Sequence, residues 1–184
     1  MALAYFITFT TYGTWLHGTD KGKGSVDRKH NQFDEDFVAP DPSRQHVERE
    51  AMSQPPYALD SARRKTVRDA IVAVCRKRQW QLLALHVRTN HVHVVVSADR
   101  DPGRLMSDFK ARASRKLTLA GFETSSRKRW TRHGSTVHLF DEASVAEKID
   151  YTLNRQGTLM AFFDGTAEPR TERTRGVSGL KTTE

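Results

Sequence analysis

The sequence predicts an α+β fold in which an antiparallel sheet carries helices on one face. The alternation of side chains in AYFITFTTY, residues 4–12, is typical of a half-buried strand. Two more strand-like runs, QLLALHV and HVHVVVSA, are separated by the polar residues 88–90, which are typical of a hairpin turn. Three other segments have apolar residues at helical spacing, and 184 residues are enough for one hydrophobic core.

The first long helix follows a stretch that is rich in Gly, Pro and charged residues. A short helix is predicted near residues 44–52 of this stretch. Asp60 and Ser61 can then cap a longer helix through LDSARRKTVRDAIVAVCRKRQW. The apolar stripe of this helix consists of Val67, Ile71, Val74 and Cys75.

The second half of the chain adds two helices and one strand region. After the hairpin, RLMSDFKARASRKLTLA is predicted to be a helix, and WTRHGSTVHLF one strand or a hairpin centred on Gly134 and Ser135. Asp141 is a suitable cap for a helix through EASVAEKIDYTLNRQ, which Gly157 ends. The order strand-helix-strand-strand-helix-strand is the ferredoxin-like split β-α-β pattern, here followed by a further C-terminal helix.

The pattern predicts one domain and a tail. Residues 1–163 form the predicted domain, with a long loop insertion at about 17–58, and a loop of that length in a small domain is usually functional or mobile. Residues 164–184 lack apolar periodicity and are predicted to be a flexible tail.

The charge balance favours a polyanionic partner. The net charge is +8 and the isoelectric point about 9.9, which fits nucleic acid. The alternative is an ordinary soluble protein with many Lys and Arg on its surface.

Cysteine content and the N-terminal residues indicate the cellular setting. Cys75 is the only cysteine, which excludes an intramolecular disulfide and a cysteine-based zinc cluster. The N-terminal residues have no basic start typical of a signal peptide, and no apolar run approaches transmembrane length. The expectation is a cytoplasmic protein with no membrane partner.

His91 and His93 stand out in a Val-rich strand. Residues two apart on a strand project from the same face, so both imidazoles lie side by side. Such a pair can bind one metal ion at little cost in organisation. The alternative is a pair of solvated or hydrogen-bonded histidines on an open sheet face. No HExxH or HxHxDH motif follows, which weakens a zinc-hydrolase interpretation.

Tyr151 is an aromatic residue on the polar side of the last helix. The predicted inward stripe of that helix is Val145, Ile149, Thr152 and Leu153. A tyrosine away from this stripe can serve as a phenolic nucleophile, whereas the alternative is simple packing at an edge of the fold. Together with a metal at the His pair, it predicts attack of a tyrosinate on a phosphate.

Basic residues near these elements can follow a single-stranded DNA backbone, and Trp130 among them can stack a base. The alternative for each is a solvated surface position. The predicted DNA-binding residues are Lys110, Arg112, Arg115, Arg129 and Arg132.

These residues resemble a known family. NHVHVVV resembles the His-hydrophobic-His signature of the HUH endonuclease superfamily, and EKIDYTLNRQG resembles the single-tyrosine helix of its transposase branch. That branch includes transposases of small insertion sequences and the REP-associated tyrosine transposases. AYFITFTTYGTW, VCRKRQW, LLALHV and WTRHGSTVHLF occur in the order that the family uses, so the resemblance covers most of residues 4–160.

The resemblance implies a ferredoxin-like catalytic domain that acts on single-stranded DNA, often beside a hairpin. It also implies a divalent Mg²⁺ or Mn²⁺ and a 5′-phosphotyrosine intermediate with a free 3′-OH. His91 and His93 correspond to metal ligands, and Tyr151 corresponds to the nucleophile. Dimers that exchange the tyrosine helix occur in the family, so both a monomer and a homodimer are compatible with the sequence.

The third metal ligand departs from the family pattern. The family places Gln or Asn four residues after the tyrosine, where this chain has Arg155. Asn154 lies on the Tyr151 face of an ideal α-helix, whereas an unwound last turn before Gly157 would bring Gln156 round instead. Gln156 is the predicted ligand, because helix ends relax readily and its side chain is longer.

Two other functions are compatible with the same residues. A metal-dependent nuclease without a covalent step would use His91 but cleave DNA without Tyr151. A non-catalytic nucleic-acid-binding module would show salt-dependent binding and no cleavage with any divalent metal.

Overall fold

The structure is a computed structural model, and it describes residues 2–14 and 42–167. Residues 17–41 of the predicted insertion and residues 168–184 of the predicted tail lie outside the described residues.

The described residues form five strands and four helices. The strands are β1 (Ala4–Thr10), β2 (Gln81–Val87), β3 (His91–Ser97), β4 (Ser135–Leu139) and β5 (Ala161–Asp164). The helices are α1 (Pro42–Glu50), α2 (Ser61–Arg78), α3 (Pro102–Leu119) and α4 (Glu142–Asn154). No helix in this described part of the chain is both long and apolar enough to span a bilayer.

All strand pairs in the sheet are antiparallel, in the order β4-β1-β3-β2-β5. β1 and β3 are central, and α2 and α3 provide the two crossover connections of a split β-α-β unit. The predicted α+β class and ferredoxin-like arrangement are therefore confirmed. The short helix predicted near residues 44–52 is also present, as α1.

The main core lies between the sheet and helices α2 and α3. Ile7 and Phe9 of β1 and Val92 and Val94 of β3 are fully buried there. Because side chains alternate along a strand, the intervening residues of β3 project from the other face of the sheet. His91 and His93 therefore lie on the face opposite the main core.

Helix α4 covers part of that second face. A smaller cluster of buried residues lies on this face. Three apolar side chains of α4 pack against the cluster: Val145, Ile149 and Leu153. The predicted inward stripe of this helix is confirmed. Its C-terminal end consequently lies near the His pair.

Each of the three longer helices begins at an aspartate. The carboxylates of Asp60, Asp101 and Asp141 each accept a hydrogen bond from the backbone N–H three residues later, over 2.8, 2.9 and 2.8 Å. Such caps satisfy N–H groups that have no partner within the helix. The caps at Asp60 and Asp141 agree with the sequence prediction, and Asp101 starts α3 immediately after the turn that follows β3.

The two edge strands differ from expectation in informative ways. WTRHGSTVHLF contains a single strand, β4. Trp130, the first residue of this segment, forms an isolated bridge with Thr11 and is not part of a hairpin. β5 was not predicted, because four residues are too few to show alternation. It pairs with β2, and the predicted domain boundary at residue 163 falls inside it.

Cys75 is a buried apolar residue of α2, as predicted. Burial raises the pKa of its thiol to about 12, because a thiolate there would lose its hydration. The thiol is therefore a packing group and not a nucleophile.

Candidate active site

The His pair (His91 and His93) forms the centre of the candidate site. The ring centroids are 4.8 Å apart, with 70° between the ring planes. The side chains project from the start of β3 toward the face that α4 partly covers. His93 is 7% exposed, and His91 is half-buried.

His93 is anchored by two residues of β1. Thr8 lies directly opposite it in the β1–β3 pairing, and the Thr8 hydroxyl is 2.8 Å from Nδ1 of His93. The Phe6 ring stacks on the imidazole at a centroid distance of 5.4 Å and an angle of 16°. These contacts fix the ring plane and direct Nε2 toward the end of α4.

His91 is oriented by its neighbour in sequence. Nδ1 of His91 is 2.7 Å from Oδ1 of Asn90, an amide oxygen that can only accept a hydrogen bond. Nδ1 therefore donates, and the lone pair of the neutral imidazole is on Nε2. Such a hydrogen bond fixes both the tautomer and the direction of a metal-binding nitrogen.

The structure brings Gln156, and not Asn154, to the His pair. Helix α4 ends at Asn154, and the next residue departs from helical dihedral angles with φ −106° and ψ 16°. Oε1 of Gln156 then lies 3.2 Å from Nε2 of His93. The Asn154 amide instead donates to Asp150 over 2.9 Å at the surface. The unwound end is followed by Gly157, whose φ of +71° favours glycine.

Tyr151 lies in the last turn of α4, beside the same cluster. Its ring centroid is 5.7 Å from that of His93 and 5.9 Å from that of Phe6, both edge-on. The Lys148 ammonium is 5.8 Å from the Tyr151 ring centroid. The ring is half-buried, so the side chain has a fixed position next to the His pair rather than a mobile surface position.

Both site histidines are neutral at physiological pH. Burial and the neighbouring His91 lower the pKa of His93 to about 3. Burial also lowers the pKa of His91, against an interaction with the accepting Gln156 side chain that raises it. Neutral imidazoles have free lone pairs, which a metal ion or a hydrogen-bond donor can use.

The donor set fits a small divalent ion. Two donors at right angles around Mg²⁺ or a similar ion lie roughly 3 Å apart, since each bond is about 2.1 Å. The 3.2 Å between Nε2 of His93 and Oε1 of Gln156 is close to this separation. Within residues 2–14 and 42–167, no group of three or more His, Cys, Asp and Glu side chains is arranged to hold a metal. The candidate set therefore consists of two imidazole nitrogens and one amide oxygen.

A family model described as "Transposase IS200 like" matches residues 56–140. Over that segment the chain is similar to the IS200-like transposases. The matched segment runs from before α2 to the end of β4 and contains the His pair, and Tyr151 and Gln156 follow it. The resemblance to single-tyrosine transposases is thereby confirmed.

Two solved structures are similar to this chain. One is a REP-associated tyrosine transposase bound to a REP hairpin, 12% identical, with a TM-score of 0.48 over 84% of this chain and 67% of that chain. The other is a candidate transposase from Deinococcus radiodurans R1, 11% identical, with a TM-score of 0.42 over 82% of this chain and 88% of that chain. No curated protein matches the sequence.

Two of the five predicted DNA-binding residues have structural partners. Lys110 donates from Nζ to the carbonyls of Thr131 and His133 over 2.9 and 3.0 Å, and burial lowers the pKa of its ammonium to about 8. Arg129 is 3% exposed and is held by Glu123 and by hydrogen bonds to nearby oxygens. Both side chains stabilise the segment before β4.

The other three predicted DNA-binding residues are exposed but are not together. Arg112 and Arg115 lie on α3, on the face of the sheet opposite the His pair. Arg132 lies in the segment before β4, next to Thr131, whose N–H donates to the Thr10 carbonyl of β1 over 3.0 Å. Of this set, Arg132 is on the strand edge nearest to the candidate site.

Replacing Lys110 with Met tests the structural role of its ammonium. The change removes the ammonium donor of the Thr131 carbonyl and one of two donors of the His133 carbonyl, so we expect the free energy of unfolding to fall by about 1–3 kcal/mol. Chemical denaturation measures the change. The matched variant Arg112→Met, on the exposed side of the same helix, should change it by no more than about 0.5 kcal/mol. Equal stability of Lys110→Met and the wild-type protein would contradict the structural role.

Sequence reasoning did not identify the residues that orient the His pair. Asn90 lies in the predicted turn, and its place directly before His91 is a usable signal for a side chain that orients an imidazole. Thr8 and Phe6 alternate with core residues of β1, which indicates that they share one face. The sequence contains no signal that this face lies against β3 at His93, because strand pairing is a long-range property.

The buried histidines predict a specific pH dependence of stability in the metal-free protein. Burial lowers the pKa values of His86, His91 and His93 below 6.5, the ordinary value for histidine. As pH falls below 6.5, the unfolded chain therefore binds more protons than the folded protein. Stability therefore decreases with falling pH, and His93 alone contributes a loss of about 1–2 kcal/mol between about pH 7.5 and about pH 5. Denaturation in the presence of EDTA at the two pH values measures this loss. A His93→Gln variant should lose less, and an equal loss in both proteins would contradict the prediction.

Proposed function

We propose that this chain is a DNA transposase of the single-tyrosine type, which nicks and rejoins single-stranded DNA with a divalent metal ion. The observation that carries the proposal is the convergence of a tyrosine, two neutral imidazoles and an amide oxygen. The His91 and His93 centroids are 4.8 Å apart, the Tyr151 ring is 5.7 Å from His93, and Gln156 is 3.2 Å from it. The IS200-like family match supports the same activity.

His91, His93 and Gln156 would hold Mg²⁺ or Mn²⁺ through two ring nitrogens and one amide oxygen. Thr8 and Asn90 keep the two rings in their orientation, since each occupies the Nδ1 atom of one imidazole. Burial keeps both rings neutral, so in the tautomer with the proton on Nδ1 each ring would offer its Nε2 lone pair to the ion. A bound ion would polarise the scissile phosphate and offset its negative charge.

Tyr151 supplies the nucleophile. Its hydroxyl loses a proton to solvent, and the phenolate oxygen forms a bond to phosphorus while the bond from phosphorus to the preceding 3′ oxygen breaks. The departing 3′ oxygen takes up a proton, which leaves a free 3′-OH and a 5′-phosphotyrosine. Attack of a 3′-OH on the phosphotyrosine reverses the step and joins DNA strands.

Single-stranded DNA, beside a hairpin, is the proposed partner. Arg132 is the predicted basic residue that best fits contact with the backbone near the site, because it is exposed and lies beside β1. The candidate tyrosine and ligands come from one chain, which supports cleavage by a monomer.

The test is a cleavage assay with single-stranded oligonucleotides, with and without a hairpin, in Mg²⁺, Mn²⁺ or EDTA. The proposal expects a detergent-resistant protein–DNA adduct and a second product whose 3′-OH a polymerase can extend, both only with metal. Cleavage that yields a free 5′-phosphate and no adduct would select a hydrolytic nuclease. Salt-dependent binding without cleavage would select a binding module.

A further inference from the structure

His86 of β2 and Arg88, in the turn directly after β2, hold the chain at the end of α4. They are two residues apart, and both side chains contact the chain at the end of α4. His86 is fully buried, and its imidazole lies 3.1 Å from the Thr152 carbonyl and 3.1 Å from the Met160 backbone nitrogen. We call His86 and Arg88 the β2 clamp.

The two hydrogen bonds of His86 define a single tautomer. The Met160 N–H can only donate, so Nε2 of His86 must accept and carries no proton. The Thr152 carbonyl can only accept, so Nδ1 of His86 must donate. This carbonyl is one of the last four of α4, which have no partner within the helix. The neutral imidazole therefore joins the last turn of α4 to the residue that precedes β5.

Arg88 holds the loop between these two points. Its guanidinium donates to the carbonyl of Gln156 and, over 3.3 Å, to that of Thr158. The clamp thus contacts four backbone groups between residues 152 and 160. Residues 156–160 lie between α4 and β5, outside both elements, so these side chains supply contacts that fix their position.

We propose that the β2 clamp is a positioning device that holds Tyr151 and Gln156 in register with the His pair. This inference rests on the proposed function for its catalytic consequence. Tyr151 directly precedes Thr152, which His86 holds, and the Gln156 carbonyl is held by Arg88. His86 lies opposite His93 in the β2–β3 pairing, and the Arg88 N–H donates to the His91 carbonyl over 2.9 Å, so the clamp and the His pair are joined within one rigid sheet. A nucleophile and a ligand on a helix end that frays need such support, because a displacement of about 1 Å can cost about a hundredfold in rate.

His86 is the better residue to test, because it is buried and neutral, whereas Arg88 carries a charge that can bind DNA directly. The variants are His86→Leu, which removes both hydrogen bonds, and His86→Asn, whose amide nitrogen replaces Nδ1 and keeps the donor to Thr152. Val67→Ala is the control for general destabilisation, because Val67 is a buried residue of α2 in the main core. The readouts are the first-order rate of adduct formation at saturating DNA, the DNA concentration for half-saturation, and hydrogen exchange of the Met160 amide.

His86→Leu should lower the rate of adduct formation by about tenfold to a hundredfold. The DNA concentration for half-saturation should change by less than about twofold. The Met160 amide should exchange at least about tenfold faster, and His86→Asn should recover part of the adduct rate but not the slow exchange. A wild-type adduct rate in His86→Leu would overturn the positioning role, as would an equal loss in Val67→Ala. Unchanged Met160 exchange would show that no clamp forms. A wild-type protein without any adduct would contradict the proposed function and the catalytic consequence, while Met160 exchange would still decide whether the clamp exists.

Discussion

Replacing Tyr151 with Phe is expected to remove the covalent adduct and to lower cleavage of single-stranded DNA by at least about ten-thousandfold. The hydroxyl oxygen is the atom that bonds to phosphorus in the proposed step, and phenylalanine has no substitute for it. The ring itself packs edge-on against Phe6 and His93, and phenylalanine keeps those contacts. The loss should therefore appear at saturating DNA, without a change in binding or in the free energy of unfolding.

Tyr5→Phe is the matched control for this variant. Tyr5 lies on the opposite face of the sheet, packed against the main core and edge-on to His138 at 5.1 Å. Removing its hydroxyl should leave the adduct and the cleavage rate unchanged. Cleavage by Tyr151→Phe at the wild-type rate would exclude the covalent mechanism and favour the metal-dependent nuclease.

Replacing His91 with Ala is expected to weaken Mn²⁺ binding by about a hundredfold and to lower adduct formation by about a hundredfold to a thousandfold. The change removes one of three proposed donors and the imidazole that Asn90 orients. Isothermal titration calorimetry with Mn²⁺ alone measures the binding, separately from any reaction. Thermal unfolding should show a folded protein, since His91 is half-buried and outside both hydrophobic clusters.

His138→Ala is the control for nonspecific binding of metal to histidine. His138 is exposed on the edge strand β4 and is paired with Tyr5, away from the candidate site. Its removal should change neither Mn²⁺ affinity nor cleavage. Equal Mn²⁺ affinity in His91→Ala and the wild-type protein would contradict the proposed metal site.

Most of the fold was predictable because its strands and helices carry local signals. Alternation along β1 and β3 and the apolar stripes of α2 and α4 specified both the elements and the faces that they bury. β5 is the exception: its four residues pair with β2 and acquire their strand conformation from that partner. Whether WTRHGSTVHLF forms one strand or a hairpin was likewise decided by the pairing of β4 with β1.

The candidate site was predictable only where its residues share one element. The spacing of His91 and His93 was sufficient to place them side by side on β3. The choice between Asn154 and Gln156 depended on where α4 ends, which Arg88 and His86 influence from a distant part of the sequence. Arg129 is in a polar, basic segment that looks exposed, and its burial depends on Glu123 and other partners.

The most direct test of the central claim is to identify the residue that becomes attached to DNA. A single-stranded hairpin oligonucleotide with sulfur in place of the bridging 3′ oxygen would trap the adduct, because the released thiol rejoins poorly. Proteolysis and mass spectrometry of the trapped protein should find the nucleotide on the peptide that contains Tyr151. A nucleotide on any other residue, or cleaved DNA without a modified peptide, would contradict the account.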